Sequence, residues 1–581
     1  MKWLPGLLLL TALLLTSCEQ RVESEKEEYP TPFETGNGNT SATYQEVLDF
    51  YIHLAREFPQ VNLQTLGMTD SQHPLHLVTF NPEGNFNFQR LGPEKTVLLV
   101  LNGIHPGEPD GIDASMMLMR DLATGALEAP ENIVVAMVPV YNVGGALQRN
   151  SATRANQNGP EQYGFRGNAR NYDLNRDFIK MDTHNARSFA EIFHMVQPDF
   201  FLDTHVSNGA DYTYALTHLF TQYQKLGGPL GAYQEEVLRP ALEAALKERD
   251  WDITPYVNVF NRPPESGFSQ FMDSPRYSTG YTTLWNVPGM MLETHMLKPY
   301  STRVEGTYAV LETTLQLMAE HGPRLSKLRE ASAAYWEGAA YYPLAWAVDS
   351  LHYQELPFKG YKARWIPSRV TGQERLQYDR EQPVDTVLAY YNNFRATDSV
   401  RIPRAYLMPL QWEGIRERLD WNHIQYSTLE ADTVMQVTAY RIANYQTYNR
   451  PYEGHYPHYA TAVSPDTLEV AFREGDLYIP TAQPGLRYLL ETLEPQGVDS
   501  FFNWNFFDPI LQRKEGYSPY VFEDEAASLL AADSTLRKAF EARKASDAAF
   551  AGSAGAQLNW IYMHSPHYEP AHNRYPVYRL E

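Results

Sequence analysis

His105 and Glu108 stand three residues apart in "NGIHPGEPDG". An imidazole and a carboxylate this close can share a metal ion if the backbone aims them at one point, and Pro106 and Gly107 between them are turn formers. Alone the pair is a weak signal: with 17 His and 70 acidic residues in 581, about two such spacings arise by chance. His205, in "PDFFLDTHVSNG", offers a third ligand at the end of another apolar run. Two imidazoles and one carboxylate suit zinc and leave a position for water, as catalytic rather than structural sites do. That water needs a base. Glu293, in "GMMLETHML", is flanked by apolar residues that desolvate it and raise its pKa toward a general base's range. Read singly, a His at the place of His205 is more often a core or edge histidine, and the alternative for Glu293 is a carboxylate paired with an arginine at a strand end.

Between these lies "GFRGNARNYDLNRDF". Asp173 can accept the free ring N–H of a ligating His and so fix its tautomer. Arg176 offers a planar fork for a carboxylate, and Asn175 beside it can donate to the same group. Arg166 is a candidate to polarise a carbonyl and hold the developing oxyanion. His295, two residues beyond Glu293, faces the same side of its strand and is held as a further supporting partner or a core residue.

Strands must deliver these groups. "TVLLVLNGI", "NIVVAMVPV", "DFFLDTH" and "GMMLETHML" are continuous apolar runs of the kind buried on both faces of a sheet. Their alternation with helical segments predicts an α/β sandwich, with the candidate ligands at the carboxyl ends of strands, where open sheets bind ligands. "TYQE" at Thr43 has the form of a capping box, and Val47, Phe50, Tyr51, Leu54 and Phe58 follow at helical spacing. A long helix through Val304, Tyr308, Leu311, Leu315 and Met318 is expected to stop at Gly322 and Pro323, closing a first domain at about residue 330. From residue 331 to 581 turns, aromatics and alternating strands predict a largely β second domain, with Met435, Val437 and Ala439 on one strand face. The tyrosines of "NYQTYNRPYEGHYPHYA" are expected in its core rather than on a stacking platform.

The whole chain narrows the chemistry further. With 48 basic and 70 acidic residues the net charge is −22, which argues against nucleic acid as a partner. Residues 1–18, "MKWLPGLLLLTALLLTSC", read as an export signal ending in a bacterial lipobox, with Cys18 as the lipidated residue. Cys18 is also the single cysteine, so no internal disulfide can form, and imidazole and carboxylate must hold any metal. Residues 19–40 have the composition of a flexible tether. The expected location is therefore outside the cytoplasm, on the periplasmic or cell-surface face of a membrane, through the N-terminal lipid alone.

The order "HPGE", "RGNARNYDLNR", "THVS" and "MLET" resembles that of the zinc carboxypeptidase family, the metallocarboxypeptidases, over roughly residues 41–330. The resemblance implies a mixed-sheet α/β/α sandwich and one Zn2+ per chain held by His105, Glu108 and His205. It implies Glu293 as general base, Asp173 as the partner of His105, and Asn175 and Arg176 as the clamp on a substrate's terminal carboxylate. "FRGNARNYDLNR" is similar to the bacterial branch that cleaves murein peptides, which supports Arg166 as the oxyanion residue, with Arg149 and Arg154 as rivals for that role. "PRYSTGYTTLW" resembles the substrate-capping segment, with Tyr277 as its phenol and Tyr281 as rival, and places the terminal side-chain pocket near Thr282 to Leu284. The family's "NPDG" is replaced by "YNVGG" at Asn142 to Gly145, a departure beside the site. The implied activity is hydrolysis of a peptide bond next to a free C-terminal carboxylate. Murein stem peptides and N-acyl amino acids are alternative substrates, and a non-catalytic peptide- or glycan-binding lipoprotein is the reading from another class.

Overall fold

A computed structural model describes residues 29–581; the signal and lipidation calls, Cys18 included, lie outside them. Strands β1 (Val61–Met68), β2 (Pro74–Phe80), β3 (Thr96–Leu101), β4 (Ile133–Val138), β5 (Phe200–Ser207), β6 (Leu216–Phe220), β7 (Ile253–Pro255) and β9 (Gly289–His295) form one eight-stranded mixed sheet, ordered β1-β2-β4-β3-β5-β9-β6-β7. The intervening β8 (Phe268–Ser269) belongs to another sheet. The four apolar runs are β4, β3, β5 and β9, adjacent and mutually parallel at the centre. The candidate ligands and base thus emerge from, or just beyond, the carboxyl ends of neighbouring strands.

Both faces of these strands are buried, which is why they read as unbroken hydrophobic runs. Val97, Leu99, Leu101 and Phe201 face one apolar cluster with the His184–Val196 helix. Leu98, Val100, Phe200 and Leu202 face the other, with the Tyr44–Glu57, Asp110–Thr124 and Tyr300–Glu337 helices. Each fully buried aliphatic side chain stabilises by roughly 1.5–3 kcal/mol. The Tyr44–Glu57 helix carries the expected capping box at Thr43.

The long helix does not stop at Gly322 and Pro323; it runs unbroken from Tyr300 to Glu337. Proline removes one backbone donor and strands the carbonyl four residues earlier, here that of Ala319. Asn132 Nδ2 donates to the Ala319 carbonyl at 2.8 Å, so the loss is repaired from outside the helix. Gly322 serves close packing instead: a Cβ there would lie 1.9 Å from Thr96 Oγ1 on β3. The expected boundary at residue 330 therefore falls inside a helix.

The tether reading also fails over residues 29–40. Thr31 and Glu34 form a capping box on a short helix, Phe33 is buried, and Glu34 accepts from Arg120 at 2.6 Å. Composition obscured this local T-x-x-E signal.

Beyond Gly338 the chain is β-rich. Strands β10 (Tyr341–Val348) and β13 (Phe394–Arg401) pair, and β11 (Gln354–Pro367) and β12 (Glu374–Tyr391) form a long hairpin onto which β8 adds. A six-stranded sheet runs β15-β18-β14-β19-β16-β17, from β14 (Ala405–Met408), β15 (Ser427–Thr428), β16 (Thr433–Thr447), β17 (His458–Phe472), β18 (Leu477–Pro480) and β19 (Tyr578–Leu580). Val437 and Ala439 are buried and Met435 half-buried on one face of β16, as the alternation predicted. Helices Leu486–Leu493, Pro519–Ala532, Ser534–Ser546 and Ala554–Met563 add an α component that the sequence reading lacked.

This part is no separate body. One continuous apolar cluster contains Leu75, Leu99 and Phe201 of the large sheet together with Tyr488, Trp504 and Tyr575. Buried Arg487 donates to the carbonyls of Thr283 and Lys225, both at 2.6 Å, and so stitches the two halves together. The tyrosine cluster divides: Tyr445 and Tyr452 pack against this core, as expected, whereas Tyr448, Tyr456 and Tyr459, at and beyond the strand ends, are 42 %, 52 % and 42 % exposed.

Candidate metal centre and its cleft

The His105–Glu108 turn is closed by the Glu108 N–H donating to the His105 carbonyl at 2.8 Å. It brings both side chains beside His205 at the end of β5. Glu108 Oε2 lies 3.3 Å from His105 Nδ1 and 3.1 Å from His205 Nδ1. All three residues are buried, and one donor atom from each falls within 4.8 Å of the others. The outer ring nitrogens are occupied: His105 Nε2 meets Asp173 Oδ1 at 2.9 Å, and His205 Nε2 meets Asp203 Oδ2 at 2.9 Å. A carboxylate on Nε2 holds the proton there and leaves the Nδ1 lone pair aimed inward. This donor set fits a divalent metal ion. Burial would raise the Glu108 carboxyl, yet Arg154 and His105 hold it well below the usual carboxylate range.

Asp203 was missed in the sequence. The available signal was its place two residues before His205 on one strand, which puts both side chains on the same face. Ser278 Oγ donates to the same Asp203 oxygen at 2.5 Å. Asn142, the first residue that "YNVGG" keeps in common with "NPDG", donates through Nδ2 to the carbonyls of Ile104 at 3.2 Å and Arg166 at 3.0 Å, tying the His105 turn to the Arg166 segment.

Glu293 pairs in register with His205 across β5 and β9, so base and ligand are lateral neighbours. Burial pushes its carboxyl up to about 7, against the pull of His205. His295 turns elsewhere, to Asp211 Oδ1 at 3.1 Å, and takes no part in the metal cluster.

The three candidate arginines separate by geometry. Arg149 donates to Ser41, Ala42 and Gln162 and does not line the cleft. Arg154 NH1 is bound to Glu108 Oε1 at 2.7 Å. Arg166 pairs through Nε and NH2 with Asp173 Oδ2, at 3.0 and 2.8 Å, and its NH1 lies 3.3 Å from His105 Nδ1. With 44 % of its side chain exposed, Arg166 is the arginine that faces both the cluster and the opening.

The cleft has a volume of about 250 Å³ and is lined by His105, Glu108, His205, Glu293, Arg166, Asn175, Arg176 and Tyr277. A short turn, Leu174–Arg176, presents Asn175 and Arg176. Asn175 Oδ1 accepts the Ser278 N–H at 3.2 Å, which leaves its amide nitrogen to donate. The Arg176 guanidinium lies over the Tyr277 ring, 4.6 Å from its centroid, and Asp173 Oδ2 stands 3.9 Å away. Tyr281 is excluded as the capping phenol, since it is fully buried and donates to Asn422 Oδ1 at 2.7 Å. Thr282 to Leu284 are likewise buried, because the Ser278–Thr283 helix turns them into the core; Leu219, Tyr256, Phe271 and Met291 line the cleft in their place.

No family model matches this chain, and no curated protein is similar to it. Solved structures do overlap with about half of it. A metallo-carboxypeptidase from Burkholderia cenocepacia is 16 % identical over 48 % of this chain and 70 % of its own, with a TM-score of 0.36. Carboxypeptidase A from Helicoverpa armigera is 14 % identical over 54 % of this chain and 81 % of its own, at 0.38. A metallo-carboxypeptidase from Pseudomonas aeruginosa, in complex with (2-guanidinoethylmercapto)succinic acid, is 13 % identical over 49 % of this chain and 70 % of its own, at 0.36. Likeness at this level carries no weight for the chemistry, which rests on the side chains described above.

Proposed function

We propose that this chain is a zinc-dependent carboxypeptidase that hydrolyses the last peptide bond of a substrate with a free C-terminal carboxylate. The observation that carries this reading is the convergence on one cleft of a His-Glu-His set, a desolvated carboxylate and an Asn-Arg pair. His105, Glu108 and His205 would hold the ion, which when bound supplies Lewis-acid polarisation and lowers the pKa of water. Glu293 takes a proton from the attacking water as its oxygen adds to the scissile carbonyl carbon. It returns that proton to the leaving nitrogen as the C–N bond breaks. Arg166 offers its guanidinium to the developing oxyanion. Asn175 and Arg176 hold the terminal carboxylate, fixing which bond meets the base, while the Tyr277 ring keeps the Arg176 plane in place. Leu219, Phe271 and Met291 favour an uncharged terminal side chain.

The export reading belongs to the same proposal: lipidation at Cys18 would place the enzyme on a membrane surface outside the cytoplasm, where peptides are trimmed. Incorporation of labelled palmitate, abolished in Cys18→Ser, tests that part.

The activity is tested with a mixed peptide pool, free-acid and C-terminally amidated, analysed by mass spectrometry with and without chelator. Stepwise loss of C-terminal residues from the free acids alone, abolished by chelator, is expected. No cleavage of either pool by protein that carries zinc would overturn the peptidase reading and turn attention to murein stems and acyl amino acids.

A further inference from the structure

Asp173 is the hub on which the outer half of the candidate metal centre turns. Its Oδ1 meets His105 Nε2 at 2.9 Å and accepts the Asn175 N–H at 3.0 Å, while its Oδ2 holds Arg166. Its own backbone N–H is taken by a residue 280 positions further on: Glu453 Oε2 accepts it at 2.8 Å. Glu453 lies in a tight turn, Tyr452 to His455, within the loop that joins β16 to β17, far from the metal-binding half in sequence.

That turn is built to reach this point. Tyr452 and His455 exchange backbone hydrogen bonds at 2.8 and 3.1 Å, closing the loop around Glu453 and Gly454. Glu453 has φ +48°, a left-handed conformation that a side chain with a Cβ rarely adopts, and such strain gathers where position matters. Gly454, at φ +80°, lies against Tyr172, where an added Cβ would stand 2.6 Å from the phenol oxygen. His455 Nε2 meets Asp182 Oδ2 at 2.7 Å, and Asp182 also receives Lys180 at 2.8 Å and Arg418 at 3.0 Å. The turn is therefore clamped just after Glu453, at Gly454 and His455, next to the segment that carries Asp173, Asn175 and Arg176.

The bland reading is that this hydrogen bond only docks the C-terminal half. Docking is already secured by the shared core and by Arg487, whereas this contact, made by a residue in a left-handed conformation, falls on the peptide of Asp173, whose carboxylate supports the candidate ligand His105. We propose that Glu453 is a positioning residue for the metal centre: it fixes the Asp173 peptide, and through it the Asp173 carboxylate, the His105 ring and Arg166. The C-terminal half is then a working part of the site. This inference rests on the metal-centre reading above.

The test uses the full chain freed of metal by chelator and titrated with Co2+, whose visible spectrum reports ligand geometry, with zinc affinity measured by competition. Glu453→Ala is expected to weaken metal affinity by about tenfold, the low end for loss of a ligand's supporting partner, and to change the Co2+ spectrum. Glu453→Asp, which keeps the charge but falls one methylene short, is expected to behave like Ala. Glu453→Gln keeps an acceptor oxygen at the same reach and is expected to stay within about twofold of wild type. Thermal unfolding of each variant separates this from a folding defect, and the Asp–Gln comparison stands even if Glu453→Ala fails to fold. Wild-type affinity and spectrum in both Glu453→Ala and Glu453→Asp would overturn the proposal, as would Glu453→Gln being as weak as Glu453→Asp. Failure of the wild-type chain to bind Co2+ or Zn2+ at all would instead sink the metal-centre reading, and this inference with it.

Discussion

The metal end and the carboxylate end of the cleft are built in different ways. At the metal end, His205 and Glu293 sit on neighbouring central strands in register, and His105 and Glu108 follow a third strand directly. At the carboxylate end, Asn175 and Arg176 ride on a short turn and Tyr277 caps a six-residue helix; Asp173, just before that turn, serves the metal end, and its peptide is held by Glu453 from the far half of the chain. The sheet supplies positional rigidity for groups that must meet an ion or a water. Loops supply the groups that recognise what is bound. Damage at the metal end should therefore abolish turnover, and damage at the other end should alter selection.

The sharpest break is Glu293→Gln. Removing the base while leaving the ligands intact should lower kcat by about 10²–10⁴-fold with zinc content unchanged. The pH profile carries the same claim. A base must be ionised, so kcat/KM is lost as pH falls through the Glu293 pKa. That pKa lies near 7 in the metal-free chain and is drawn lower by a nearby dication, so the acid limb should fall below 7. In the metal-free chain the raised pKa favours the neutral carboxyl on folding. Its contribution to stability is present below the ordinary value of 4.5 and lost as pH rises through about 7. Denaturant unfolding of wild type against Glu293→Gln across that window would display it.

Next in size, Asp203→Asn should lower metal affinity by about 10–100-fold, since the His205 Nε2 proton loses its carboxylate partner. Competition against a chelating dye measures it. At the other end, Arg176→Ala should raise KM for free-acid peptides by at least about tenfold, the value of a charge-assisted hydrogen bond, with metal content unchanged. It should also narrow the preference for free-acid over amidated substrates. If Arg176→Ala lowered kcat alone, the two ends would not divide as described.

The smallest effect sharpens the comparison by lying outside both ends. Asn132→Ala strands the Ala319 carbonyl beside Pro323 and should destabilise the fold by about 1–3 kcal/mol, read by denaturant unfolding, with kcat untouched.

The same division governs what was legible in the sequence. The four central strands announced themselves because burial on both faces writes an unbroken apolar run, and the residues at or just beyond their ends could be named from that alone. Asp203 escaped because an acidic residue inside such a run looks like an interruption, although its spacing from His205 placed it on the same face. The helix end at Gly322-Pro323 was misread because its remedy, Asn132, lies 187 residues away in sequence. Thr282 to Leu284 pointed to a pocket by resemblance, yet the short helix turns them inward. Glu453 had no local signal at all: its meaning depends on two halves sharing one core, and no window of sequence contains both.

The claim on which all of this depends is that His105, Glu108 and His205 hold one metal ion through the two Nδ1 atoms and the carboxylate. Anomalous diffraction at the zinc edge, from crystals of the zinc-loaded protein, tests it most directly. A single peak between the two Nδ1 atoms and Glu108, with the Nε2 atoms still on Asp173 and Asp203, is the predicted result. No peak at this position, or a peak ligated by other residues, would contradict it.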